Sequence, residues 1–351
     1  MKKLFFFLGL CLMGATSFAT TYTVSNNTNL PGSPGQYSTI AAAVAASNSG
    51  DTIMIQGSPT AYSEGINVNW TLTIIGPGYN PQNPNGYNAV INGDINFGNS
   101  SSNSQLIGIY TTYSIGWNNS VPVSNYTISR CYTSTISPSG ASVTNVTVKN
   151  CIVTGNINVG SNPANILNNI FTTYNYVSGQ NQVTVQHHIA NNLFLCNAGI
   201  QYLQNAVIEN NIFYSSNQTT NLYNCTFNNN YVYSLTAFTL PTAAGNTNIG
   251  SGNLNDQTNI YKASNWDCTT NSTFSNTVNF RPAANTVVHN AGTDGTDIGP
   301  TGGAYPIYNA PAPYPLTGEP ALPKVKSIIM PATSVPAGGT LNITINATSG
   351  N

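Results

Sequence analysis

Between residues 125 and 233 the sequence repeats one short phrase six times. A polar pair recurs at Arg130-Cys131, Asn150-Cys151, Asn168-Asn169, Asn191-Asn192, Asn210-Asn211 and Asn229-Asn230, at intervals of 20, 18, 23, 19 and 19 residues. Three positions before the second member stands an apolar residue (Ile128, Val148, Ile166, Ile189, Ile208, Phe227). One position after it stands another large one (Tyr132, Ile152, Ile170, Leu193, Ile212, Tyr231). A unit this short cannot bury its own apolar side and must stack on the next, which makes a solenoid. Gly, Ser, Asn and Thr interrupt every unit, so no amphipathic helix fits, and Leu is too sparse for leucine-rich repeats. Short β-branched and aromatic runs between turn residues are strands. The fold class is therefore all-β, a parallel β-helix with one coil per unit.

The Asn column has two physical reasons. Asn tolerates the left-handed backbone region better than any residue but Gly, which suits a sharp turn between strands. Coils lie roughly 4.8 Å apart, so successive amides can also bond to one another or to neighbouring backbone as a ladder. Cys131 and Cys151 share this column. Either they form a disulfide, against parallel Cβ directions, or they are stacked, buried thiols acting as small apolar groups. Together with Cys196, Cys225 and Cys268 they leave an odd number after removal of a leader, without zinc-like spacing.

The leader is residues 1–19. Lys2 and Lys3 precede an apolar run from Leu4 to Met13, and Ser17-Phe18-Ala19 offers a cleavage site, which together read as a secretory signal peptide. The mature chain is expected to be secreted or held at a cell surface, and no later stretch is apolar and long enough to span a bilayer. Only 5 % of residues are charged and the net charge is −1, with no basic patch, which argues against nucleic-acid binding. Residues 20–60 hold a strand at Thr21–Val24 and an Ala-rich helix from Ser38 to Ser47, with Ser38 or Thr39 as N-cap. A strand at 52–56 follows. The helix is expected to cap the open end of the solenoid.

The segments Tyr37-Ser38-Thr39-Ile40, Gly50-Asp51-Thr52-Ile53 and Tyr62-Ser63-Glu64-Gly65, and the closing Ala291-Gly292-Thr293-Asp294-Gly295-Thr296-Asp297-Ile298-Gly299 with Gly302-Gly303, carry a family resemblance. The chain resembles bacterial, secreted members of the pectin-lyase-like superfamily. The resemblance implies a right-handed parallel β-helix over residues 61–303 and leaves activity open, since that fold carries lyases, hydrolases, esterases and adhesins. The early coils are read at 72–75, 89–92 and 106–109, with a loop from Pro81 to Tyr87. Residues 304–323, rich in Pro and Tyr, read as a linker. Residues 324–351 read as a short strand pair, at 325–330 and 340–346, about a Pro-Ala-Gly-Gly turn.

The few charged residues limit the chemistry open to the chain. Asp94 and Glu209, the acids of the regular coils, lie about six coils or roughly 29 Å apart, too far to act as a glycosidase pair. Asp51, Glu64, Asp256, Asp267, Asp294 and Asp297 lie towards the ends. A polysaccharide lyase would need a base and a cation, and Arg130 and Lys149 are the candidates, although alternation would point them in different directions. Adjacent His187 and His188 should face opposite ways, and His289 lies far downstream, so no metal site of three ligands is visible. Asp294 and Asp297 read first as turn-stabilising side chains, with calcium as the one cofactor left open. The paired aspartates and arginine of pectin methylesterases and the Gly-His-Gly of polygalacturonases have no match here.

The second reading is binding without chemistry. Tyr214 and Tyr233 share a column, with Tyr174, Tyr176, Tyr202 and Tyr223 in nearby turns. Aromatic faces beside Asn and Gln amides suit a polysaccharide or cell-surface glycan. A third reading is structural, a surface spacer that self-associates through strand edges. The sequence points to a non-catalytic secreted or surface protein contacting carbohydrate or serving as a structural or adhesive element, with a polysaccharide lyase as the alternative.

Overall fold

The repeat resolves into three short strands per coil. In the computed structural model the described residues are 19–27, 33–80, 87–138, 142–160, 162–172, 174–180, 185–214, 219–234, 238–241, 247–256, 280–307, 317–320, 322, 324–329, 339–341 and 343–348, without the side chains of 324–328 and 348. The leader up to residue 18, most of the 81–87 loop, Asp267 and Cys268 lie outside this set. Among the described residues the strands form parallel sheets of twelve, eight and nine members, each regular coil giving one strand to each. The chain is an all-β parallel solenoid. A separate antiparallel pair joins Lys324–Ile329 to Thr344–Thr348.

The helix, α1, spans Ile40–Ala46, and the Thr39 side chain accepts from the Ala42 N–H as its N-cap. The Glu64 carboxylate takes the free N–H groups of Ile40 and Ala41 at 2.6 and 3.1 Å. Ile40, Ala43 and Val44 are buried against the first strands.

The two duties expected of Asn fall on different residues. The first member of each polar pair makes the turn: Arg130, Asn150, Asn168, Asn191, Asn210 and Asn229 all have φ between 50° and 57°. The second member points inward and builds the ladder. The Oδ1 atoms of Asn192, Asn211, Asn230 and Asn253 accept from the N–H of Asn169, Asn192, Asn211 and Asn230 at 2.9 to 3.1 Å. Each Nδ2 donates to the carbonyl of the apolar column one coil back, Asn211 to Ile189 and Asn230 to Ile208 at 2.8 Å. Asn253 extends the column one coil beyond the repeat read in the sequence.

Cys131 and Cys151 are free thiols doing the same job. The Cys151 N–H donates to Asn169 Oδ1 at 2.9 Å, and the Cys131 N–H meets Cys151 Sγ at 3.4 Å. Each Sγ lies 3.7 Å from the carbonyl that an Asn amide would reach, Leu106 and Ile128. Burial pushes the Cys151 thiol well up, which keeps its hydrogen. No disulfide joins them. Cys196 is disulfide-bonded instead.

The two apolar columns belong to two different cores. The one ahead of the pair, Ile128, Val148, Ile166, Ile189, Ile208 and Phe227, is in register and fully buried inside the coils. The left-handed turn then interrupts the alternation, so the residue after the pair points outward. The next one points inward, where Phe171, Phe194 and Phe213 stack with ring centroids 4.7 and 4.9 Å apart. The outward column from Ile152 to Tyr231 is nonetheless buried, against a second cluster that includes Phe280, Val288 and Ile298.

Asn211→Ala should destabilise the chain by about 3 kcal/mol, because it strands the Asn192 N–H and the Ile189 carbonyl in the interior. Chemical denaturation should show Asn228→Ala, on the outer face, close to the parent protein.

Candidate functional site

Chain beyond the last coil returns along the corner between the twelve- and nine-stranded sheets. The turn-forming Asn residues hold it by their side chains. Asn229 Nδ2 donates to Ala291 O, Asn210 to Thr293 Oγ1, Asn191 to Gly299 O, Asn168 to Gly302 O and Asn150 to Tyr305 O, at 2.7 to 3.3 Å. Arg130 continues the series with a bond to Glu319 O. Each step moves one coil back towards the N-terminus. Two glycines allow the close approach. At Gly299 (φ +94°) a Cβ would stand 2.4 Å from Ile212 Cδ1, and at Gly303 (φ +72°) one would stand 2.7 Å from Asn191 Oδ1. Phe280, Val288 and Ile298 fill the outward column of the nine-stranded sheet.

Under this return segment lies a cleft of about 370 Å³. Its floor is the outer face of the twelve-stranded sheet, with Gln105, Thr127 and Ser129, and its far wall is Tyr305, Pro306 and Leu322. Arg130 and Lys149 both line it, which corrects the expectation that alternation would separate them. Arg130 sits in the left-handed turn, where strand alternation no longer governs direction. Lys149 Nζ stands 3.9 Å from the Tyr305 ring centroid. Burial first, and the neighbouring Arg130 charge second, lower its pKa.

The tyrosines fall on two sheets. Tyr214 and Tyr233 stack at 4.6 Å on the nine-stranded sheet, where Tyr214 is buried. Tyr176, Tyr202 and Tyr223 belong to strands of the eight-stranded sheet and Tyr174 to the turn before it, with Tyr174 and Tyr202 exposed. The outer face of that eight-stranded sheet carries a row invisible in the repeat. Asn67, Asn96, Gly116, Ser137, Asn158, Ser178, Gln201 and Thr220 stand in register, one per coil. None is charged.

The carboxylates have local partners. Asp51 accepts from the N–H groups of Thr20 and Asn48, Asp94 from Ser114, and Asp294 from Thr296. Glu209 pairs with His188 at 2.9 Å, which with burial opposing lowers its pKa. Asp297 binds His289 at 2.7 Å and accepts from Asn290 N–H and Thr301 Oγ1. Among the described residues no group of three His, Cys, Asp or Glu could hold a metal ion, and no helix is long and apolar enough to cross a membrane. His187 turns inward, fully buried, and its Nδ1 has no hydrogen-bond partner among the described residues.

The fold and this corner define a parallel β-solenoid with a bound return segment. No family model, no curated protein and no solved structure matches the chain.

Ile298→Ala should cost about 2 to 4 kcal/mol in the second core and speed protease cleavage near residue 300, with the coils intact by circular dichroism. A pH effect follows from His187, whose pKa burial lowers from 6.5 to about 4. The unfolded chain binds the proton in that interval and the folded chain does not. Stability is therefore full above about pH 6.5 and falls by about 3 kcal/mol as the pH drops to 4. His187→Leu should flatten this part of the denaturation profile, and Glu209→Gln should isolate the contribution of the His188 pair.

Proposed function

We propose that the chain is an exported bacterial surface protein of the pectin-lyase-like kind that contacts neutral carbohydrate through its eight-stranded face without cleaving it. In this reading the solenoid is right-handed, α1 closes its N-terminal end, and residues 1–19 are removed on export. The observation that carries it is the row from Asn67 to Thr220. Eight coils at roughly 4.8 Å present amides, hydroxyls and one glycine along roughly 34 Å of straight face. Such groups bond to sugar hydroxyls, and the exposed rings of Tyr174 and Tyr202 beside them can pack on pyranose C–H faces. The Cys196 disulfide suits an oxidising compartment.

A polysaccharide lyase is the second reading, favoured by one observation. Lys149, with its lowered pKa, shares a cleft with Arg130 as a base and a cation would.

A glycan-array screen of residues 20–351, with and without calcium, should find neutral polysaccharides bound by the parent protein. Asn158→Arg and Ser178→Arg should lose that binding. An ultraviolet assay for unsaturated product on any bound polysaccharide should be blank. Product that disappears in Lys149→Met would establish the lyase, and the absence of any glycan binding would favour a structural or adhesive role.

A further inference from the structure

Arg130 and Lys149 line one cleft without an ion pair among the described residues. His188 pairs with Glu209 and His289 with Asp297, whereas neither Arg130 nor Lys149 forms an ion pair with a described carboxylate. Arg130 gives one N–H bond to the Glu319 carbonyl and keeps its other donors. The Lys149 ammonium meets only the face of Tyr305 and has no hydrogen-bond acceptor among the described residues. Two like charges on neighbouring coils, one of them half-buried, raise each other's energy. Without a counter-ion the arrangement is costly.

The cleft around them is divided. Gln105, Thr127 and Ser129 bring donors and acceptors to the floor. Ile75, Ile107, Pro306, Pro320 and Leu322 bring apolar surface. A volume of about 370 Å³ is within the range of small-molecule sites. We propose that this cleft binds a small organic anion, with an oxyanion head between Arg130 and Lys149 and a partly apolar body against Ile75, Ile107 and Leu322. The site is on a different sheet from the proposed glycan face and does not depend on it.

The test uses residues 20–351 with ¹³C-labelled lysine side chains, titrated separately with benzoate, phenyl phosphate, inorganic phosphate and neutral benzyl alcohol. Benzoate or phenyl phosphate should shift the Lys149 signal saturably and raise its pKa, since an anion favours the charged ammonium. Binding should weaken with added salt. The comparison of benzoate with phenyl phosphate tells a carboxylate from a phosphate head. Response to inorganic phosphate as strong as to either aromatic anion would overturn the apolar half of the site.

Lys149→Met and Arg130→Asn should each bind about tenfold more weakly, read from benzoate-induced shifts of backbone amides lining the cleft. Asn is chosen for Arg130 because it makes the same left-handed turn in the following coils. Gln105→Glu, nearly isosteric, supplies the missing charge from within the cleft. It should raise the melting temperature and abolish benzoate binding. Benzyl alcohol binding as tightly as benzoate, a Lys149 signal unmoved by millimolar anion, or unchanged affinity in Gln105→Glu would each overturn the proposal.

Discussion

The amide ladder at one corner is the interaction the rest of the molecule depends on. A coil that turns by a single left-handed residue leaves the following backbone N–H facing inward, where water cannot reach it. A side-chain oxygen from the next coil satisfies that N–H, and the same side chain's NH₂ satisfies a carbonyl one coil back. Asn is the shortest residue that carries both groups. Where this is met, from Cys131 to Asn253, the apolar columns on either side are held in alignment, and the aromatic stack from Phe171 to Phe213 follows from that alignment.

The solenoid was legible because its signal is periodic. Columns of Ile, Val and Asn repeated over six coils state the register more firmly than any single strand could. What was not legible is equally physical. Arg130 and Lys149 are adjacent in register and were expected to diverge by strand alternation. The turn at Arg130 breaks alternation, and both reach one cleft. The outward column looked like core because it is apolar. It is core, but of a second kind, completed by residues near 290 whose contacts lie far away in sequence and leave no periodic trace. Cys131 and Cys151 read as a choice between disulfide and apolar filler, whereas their sulfurs substitute for ladder amides. The polar row of the eight-stranded sheet was hidden because Asn, Ser, Gly, Gln and Thr share no single letter.

Scarcity of charge gives each ionised group unusual influence. Glu64 supports the first turn of α1, and Asp297 ties its own loop together through His289 and Thr301. These groups act on backbone and neighbours at short range, so the fold has few long-range electrostatic conflicts to resolve. Arg130 and Lys149 stand apart from that pattern. They share one cleft, where burial and their mutual repulsion disfavour the charged form of Lys149.

A solenoid usually tolerates gain or loss of a repeat, since each coil touches only its neighbours. The return segment removes that freedom here. It is fastened coil by coil from Asn229 back to Asn150, and each fastening uses a fixed residue of the tail. A coil inserted between Asn168 and Asn191 would leave the tail one step too short. A coil lost would leave slack over an uncovered apolar column. The tail is thus a gauge of the molecule's length, and the number of coils in this region is fixed by a segment that belongs to none of them.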